Sequence, residues 1–312
     1  MAAAALSCAL EEAMFLSKSR SDPARRFADR TWRSADGLDL HARDYAAAPG
    51  PALTPVICLH GLTRNARDFD DLAPTIAATG RRVLAVDVRG RGGSAWDPHP
   101  EHYQPAVYAA DVAALMTALA ISRAVFIGAS MGGIITMVLA TMKSDLVAAA
   151  VLNDIGPQIA SAGLARIGEF VGRPAEAADW KQAARYVRLL NGRALPHYGR
   201  RDWDAMARRL FREDDAGRPV LDYDPAIAVP IRAGAGAPPA NLWPLWTRLA
   251  RKRPVLVIRG ETSDLLEPRT VVRMRRTAPK AVFAEVPGVG HAPMLDEPAA
   301  RGAVMAFLAT LP

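Results

Sequence analysis

Cysteine is nearly absent from this chain of 312 residues, with only Cys8 and Cys58. Two thiols so far apart exclude a disulfide-stapled framework, and no cysteine–histidine spacing of the zinc type accompanies them. Cys58 lies inside the apolar run Val56-Ile57-Cys58-Leu59, which reads as a buried thiol in a strand. Long hydrophobic runs are also missing: no stretch approaches the roughly 20 residues that a membrane-spanning helix needs. Lysine is scarce, five against thirty-four arginines, yet the net charge is +7 and the isoelectric point about 9.8. The arginines are spread over every region, with short clusters only at Arg208-Arg209, Arg251-Lys252-Arg253 and Arg273 with Arg275-Arg276. Without aromatic-interleaved basic strands or a helix-turn-helix pattern, the excess is compositional, and a nucleic-acid partner is not expected.

The apolar start, Met1 to Leu16, lacks a basic residue ahead of it and is interrupted by Glu11 and Glu12. It therefore does not fit a secretory signal, and residues 1–25 read as a short alanine-rich helix or a disordered extension. A cytoplasmic protein with no membrane partner, monomeric or a small homo-oligomer, is the expectation.

What is present is strand–helix alternation. Arg26 to Arg33 and Leu38 to Asp44 read as an edge hairpin turning at Ala35-Asp36-Gly37. Pro55 to Leu59, Arg82 to Val86, the run ending at Ile127, and Val147 to Leu152 are continuous apolar strands, as expected where both faces are covered. Helical periods separate them. From about Gly156 to Leu249 strands disappear and helical stretches rich in Trp, Arg and Ala take over, after which strands and helices alternate again to Leu311. The fold class expected is α/β: a mostly parallel sheet with helices on both faces and an inserted helical segment. The division is 1–25 extension, 26–155 with 250–312 core, and 156–249 insertion.

The chemistry centres on Val125-Phe126-Ile127-Gly128-Ala129-Ser130-Met131-Gly132-Gly133. A β-branched apolar run ends in Gly-x-Ser-x-Gly and a helical run follows at once, the context of a nucleophile elbow. Holding Ser130 at so sharp a turn costs about 1–3 kcal/mol of backbone strain. Glycines at 128 and 132 remove the Cβ atoms that would collide across it. A serine hydroxyl becomes a nucleophile only when a base takes its proton and a carboxylate orients that base. His291, in Gly288-Val289-Gly290-His291, follows a strand and is the candidate base. Asp264 in Gly260-Glu261-Thr262-Ser263-Asp264 follows another and is the preferred orienting acid. Asp154 and Glu261 compete for that role; Asp154, opening the insertion, reads better as a cap or hinge. The Met131 amide at the helix start and the Leu62 amide after His60-Gly61 are the candidate oxyanion hole. His60 and the Asp87 to Ser94 loop read as scaffolding, because that glycine-rich loop lacks the Lys-Ser/Thr ending of a phosphate loop.

Together, His60-Gly61-Leu62, Asp87…Gly90-Arg91-Gly92…Ser94, Gly128-Ala129-Ser130-Met131-Gly132-Gly133, Gly260…Asp264…Pro268 and Gly290-His291 resemble the α/β-hydrolase superfamily over roughly Arg26 to Pro312. The resemblance implies that the insertion is a cap over the active site. It also implies Ser130, Asp264 and His291 as triad, the Leu62 and Met131 amides as oxyanion hole, and no metal or organic cofactor. Ser130 sets aside the epoxide hydrolase and haloalkane dehalogenase branches, whose elbow nucleophile is a carboxylate. The expected activity is hydrolysis of a small-molecule carboxylic ester or lactone through an acyl-enzyme, with a rate that declines as His291 is protonated. The alternatives are a C–C bond hydrolase of aromatic catabolism, against which Ala129 stands where asparagine is common, and a receptor-like hydrolase fold that binds without turnover. Arg64 is the candidate for a substrate carboxylate, and Trp203 and Trp243, among the aromatic residues of the insertion, for the pocket wall.

Overall fold

The computed structural model describes residues 26–175, 177–234 and 240–312, so the N-terminal extension and Cys8 lie outside the described residues. An eight-stranded sheet forms the body of the protein. Its strands are β1 (Ala28–Arg33), β2 (Asp39–Tyr45), β3 (Val56–Leu59), β4 (Val83–Asp87), β5 (Ala124–Ala129), β6 (Val147–Asn153), then β9 (Val255–Gly260) and β10 (Val282–Val286) after the insertion. The spatial order is β1-β2-β4-β3-β5-β6-β9-β10, antiparallel at β1–β2 and β2–β4 and parallel elsewhere. The mostly parallel α/β architecture is as the strand pattern implies.

Alternation along each strand assigns its residues to two cores. Ile57, Leu59, Phe126 and Leu152 face one layer, with Trp246; Val56, Cys58, Ile127 and Val151 face the other. The helices covering these layers are α1 (Leu72–Ala77), α2 (Pro105–Ala118), α3 (Met131–Met142), α8 (Trp243–Lys252), α9 (Pro268–Thr277) and α10 (Pro298–Ala309). α2 begins at Pro105, whose ring is preset for a first helical turn. Cys58 is fully buried, and burial pushes its thiol well up. No helix among the described residues is long and apolar enough to cross a membrane.

The insertion after β6 holds α4 (Ser161–Phe170), α5 (Trp180–Asn191), α6 (Arg200–Leu210), α7 (Ala228–Ala233) and the start of α8. It also holds a hairpin, β7 (Phe211–Glu213) with β8 (Pro219–Leu221), so strands do not disappear from this stretch. Six strand residues around Asp214…Gly217 are too few to show a period of two. The turn is instead fixed by local bonds, since the Asp214 carboxylate accepts the Ala216 and Arg218 amides at 2.9 and 2.8 Å.

Two loops at the carboxyl end of the sheet are locked by polar groups. The buried Arg89 guanidinium binds Asp111 at 2.6 and 2.7 Å, Asp97 at 2.5 Å and Asp36 at 2.7 Å, tying the β1–β2 turn to α2. His60 is wholly buried. Its Nε2 accepts the Val88 amide at 3.0 Å, and its Nδ1, 2.7 Å from the Gly61 carbonyl, carries the proton. Burial accordingly depresses its pKa to about 4. The native state therefore takes up its proton only near pH 4, whereas the unfolded chain takes it up near the ordinary histidine value of about 6.5. This histidine's contribution is complete above that value and is lost as pH falls below it, on the order of 2 kcal/mol between pH 7.5 and 5. His41 acts in the opposite sense: despite burial, bonds to Asp87 and Asp29 raise its pKa, so its contribution fades as pH rises. We expect urea unfolding of wild type and His60→Asn at pH 7.5 and 5 to show the stability gap narrowing by about that amount at pH 5. A gap independent of pH would contradict the neutral buried imidazole.

Candidate active site

Ser130 sits between β5 and α3 with φ 49° and ψ −111°, the strained turn expected of an elbow. The crowding is concrete. A Cβ on Gly132 would lie 2.0 Å from the Leu59 carbonyl oxygen, and one on Gly128 would lie 2.4 Å from the Gly132 backbone. The Ser130 Oγ is 3.0 Å from Nε2 of His291, which is carried on the loop after β10.

The acid at His291 is Asp154, not Asp264. Asp154 Oδ2 lies 2.7 Å from His291 Nδ1, at the end of β6 and fully buried. Its carboxylate also accepts the Gly260 amide at 2.9 Å and the Ser263 hydroxyl at 2.6 Å. Asp264 instead takes a two-point bond from Arg166 of α4, at 2.6 and 2.9 Å, and that guanidinium holds its carboxyl below the usual carboxylate range. Strand adjacency explains the ambiguity. β6 and β9 are parallel neighbours, with Asn153 beside Ile258, so acids just beyond either strand emerge side by side beneath His291. Ser263 and the Gly260 amide turn inward to solvate Asp154, while Arg166 draws Asp264 toward the insertion. Asp154 is therefore a site residue, where its position alone suggested a hinge. The readable signal was an acid following directly on an apolar strand that is buried at all but one position. Glu261, the third acid, braces the loop by accepting the Gly288 amide at 2.7 Å.

The Leu62 backbone borders the same cavity as Ser130, and Met131 opens α3, where a first-turn amide has no carbonyl one turn earlier. Arg91, in the loop read from the sequence as scaffolding, touches both residues. Its Nε donates to the Leu62 carbonyl at 3.0 Å, its Nη1 to the Arg89 carbonyl at 2.7 Å, and its Nη2 approaches the Met131 sulfur at 3.8 Å. If the Leu62 and Met131 amides are the oxyanion donors, Arg91→Met should loosen the Leu62 segment that carries one of them. The expected result is a kcat lowered by about 10–100-fold with a smaller change in KM, since displacing an oxyanion donor acts on the transition state.

The cavity at Ser130 has a volume of about 110 Å³. The core contributes Gly61, Leu62, Arg64, Asn153 and His291; the insertion contributes Arg166, Ile167, Phe170, Asn191 and Leu195. Arg64 does line it, paired to Asp68 by two bonds of 2.7 Å. Trp203 and Trp243 do not. Trp203 is buried within the insertion against Tyr198, and Trp243 lies on α8 with the Arg273 guanidinium 3.8 Å from its ring centre. The aromatic side chains on the cavity wall are Phe69 of the core and Phe170 of the insertion. The cavity volume is smaller than the roughly 300–1,000 Å³ of typical ligand pockets.

A nucleophile elbow at the carboxyl end of a mostly parallel sheet, with histidine and a buried acid in line, defines the class. Residues 56–303 match the model of the alpha/beta hydrolase family, and the chain belongs to that family and is a hydrolase. It is similar to the 3-hydroxybutyrate-oligomer hydrolase of Cupriavidus necator, 35% identical over 268 residues that cover 83% of this chain and 90% of that protein. It is also similar to an esterase of Mycobacterium tuberculosis, 29% identical over 80% of this chain and 81% of that one. Among solved structures, an alpha/beta hydrolase from Novosphingobium aromaticivorans superposes with a TM-score of 0.85 at 42% identity, covering 92% of this chain and 99% of its own.

Proposed function

We propose that the protein is a serine carboxylic ester hydrolase acting through an acyl-enzyme on Ser130. The observation that carries this reading is the continuous line Ser130 Oγ–His291 Nε2 at 3.0 Å and His291 Nδ1–Asp154 Oδ2 at 2.7 Å. With the Nδ1 proton held on Asp154, Nε2 accepts the serine proton as Oγ attacks the ester carbon. The Leu62 and Met131 amides meet the oxyanion. The tetrahedral species collapses, the ester C–O bond breaks, and His291 returns the proton to the departing alkoxide. Water then attacks the acyl-enzyme, giving a proton to His291. The serine regains that proton as the acid leaves.

For the substrate, the reading is a short hydroxyacyl ester bearing a free carboxylate, for which lactones of the same acids are the cyclic counterpart. Arg64 and Arg166 bring two guanidiniums to the wall of a small cavity, one from the core and one from the insertion. A similar protein is named for oligomers of 3-hydroxybutyrate, which combine an ester with a terminal carboxylate. The insertion acts as a cap that contributes Phe170 and Ile167 to the acyl site.

The test is hydrolysis of p-nitrophenyl esters across acyl lengths beside 3-hydroxybutyrate dimer, trimer and the dimer methyl ester. We expect turnover of acyl groups of about four carbons and a kcat/KM about tenfold or more higher for the free-acid dimer than for its methyl ester, one charged contact being worth roughly 1.4 kcal/mol. Equal rates on acid and methyl ester would remove the carboxylate preference. No turnover of any ester would overturn the assignment itself.

A further inference from the structure

Away from Ser130, two clusters among the described residues bring a histidine against two carboxylates, and one of them already holds an arginine. Asp36, Asp97 and His102 converge, but the Arg89 guanidinium lies among them, bonded to Asp36 at 2.7 Å and to Asp97 at 2.5 Å. The other cluster joins His197, on the segment between α5 and α6, to Asp296 and Glu297, on the loop behind His291. Each places one ligand-type atom within 4.8 Å of the other two. Among the described residues no lysine or arginine pairs with either carboxylate, whereas Asp36, Asp97, Asp111 and Asp264 are each paired with arginine.

Glu297 carries the second observation. It is 7% exposed, its Oε1 accepts the Met294 amide at 2.9 Å, and its Oε2 is buried with no partner at all. One Asp296 oxygen accepts the Tyr198 hydroxyl at 2.7 Å, leaving the other free of that bond. Two adjacent carboxylates, one with a bare buried oxygen, are destabilised by desolvation and mutual repulsion until a cation arrives. An imidazole nitrogen beside two carboxylate oxygens suits a borderline first-row ion better than magnesium or calcium, which prefer all-oxygen shells. His197 is exposed and lines an open groove with both acids, so an ion reaches the site from solvent.

We propose that His197, Asp296 and Glu297 form a divalent transition-metal site, with Zn²⁺ as its reference ion, that clasps the insertion to the histidine loop. Two bonds already cross this seam: the Gly290 amide to the Ala194 carbonyl at 2.7 Å, and Tyr198 to Asp296. An ion adds coordinate bonds at the same place, five residues from His291, with water filling the remaining positions. It holds the insertion down over the cavity and slows substrate entry and product release, while the chemistry at Ser130 proceeds without it.

The experiment is calorimetric titration of chelator-stripped full-length protein with ZnCl₂, in wild type, His197→Ala, Glu297→Gln and His291→Ala. We expect one ion per chain at a Kd on the order of micromolar or tighter. Affinity should weaken by about tenfold or more in His197→Ala and Glu297→Gln and persist in His291→Ala. Hydrolysis by wild type should fall at saturating Zn²⁺ and recover with EDTA, while His197→Ala, equally active without metal, stays insensitive. His197→Ala changes an exposed side chain, so it reports even if Glu297→Gln does not fold. No uptake by wild type, undiminished uptake by His197→Ala, or uptake lost with His291 would each overturn the site. Uptake with an unchanged rate would overturn the clasp. The binding outcomes need no substrate, and the rate outcomes need only an ester that the protein turns over.

Discussion

Ser130→Ala is expected to lower kcat for ester hydrolysis by about a million-fold, to a residual rate carried by binding and the oxyanion amides alone. The magnitude follows from how the three groups act as one device. Ser130 Oγ has His291 as its side-chain partner, and His291 has Asp154 behind it. Removing the oxygen leaves the base without an acceptor of acyl groups, and removing the base leaves a neutral hydroxyl that hardly attacks an ester. His291→Ala should therefore cost nearly as much, and the double variant little more than either one. The structure should survive the substitution. Alanine and serine meet the same backbone cost at φ 49°, and the turn is held by the Ser130 amide on the Asn153 carbonyl at 2.9 Å, which needs no side chain. Steady-state kinetics on a p-nitrophenyl ester, with circular dichroism as the folding control, reads the result. Activity within tenfold of wild type in a folded Ser130→Ala would remove serine as the nucleophile.

The elbow was legible because it is written in covalent geometry: glycines at 128 and 132 can be nothing else when the Leu59 carbonyl and the Gly132 backbone stand so close. The buried strands were legible for a similar reason, since β3, β4, β5, β6 and β9 carry continuous apolar runs that fill both faces of the sheet. His291 followed from its loop at the same sheet edge. Other features depend on contacts between segments far apart in sequence. Which acid meets His291 is decided by Arg166 and Ser263, two residues that sequence spacing does not connect. Arg91 looks like any arginine of a glycine-rich loop until its bond to the Leu62 carbonyl is seen. The tryptophans mislead because size selects for burial without saying in which core. Trp246 went to the core of the sheet, and Trp203 to that of the insertion.

The sharpest test of the site separates its two acids. Asp154→Asn should cost about 10⁴-fold in kcat, and Asp264→Asn less than about tenfold. Asp154 accepts three donors at once: the Gly260 amide, the Ser263 hydroxyl and the His291 Nδ1 proton. Asparagine offers one acceptor oxygen where two are engaged. Whichever way its amide turns, an N–H₂ group faces a donor, and turning it toward His291 favours the tautomer whose Nε2 already bears a proton. That imidazole cannot accept from Ser130, and no nearby negative charge supports the imidazolium that acylation creates. Asp264 has a different employment. Its side chain is 38% exposed and bonded to a guanidinium that is 35% exposed, so neutralising it releases Arg166 into a partly solvated cavity wall at a cost of about 1 kcal/mol or less. The effect of Asp264→Asn should accordingly fall on KM for carboxylate-bearing substrates, with the freed Arg166 binding them more tightly, and leave the pH dependence of kcat unmoved. The reverse ranking, with Asp264→Asn the severe variant, would mean that the insertion lifts Arg166 away during turnover and lets the second acid take His291. Measuring both variants on one charged and one uncharged ester distinguishes a fixed triad with a binding-site acid beside it from a triad that changes its acid as the insertion moves.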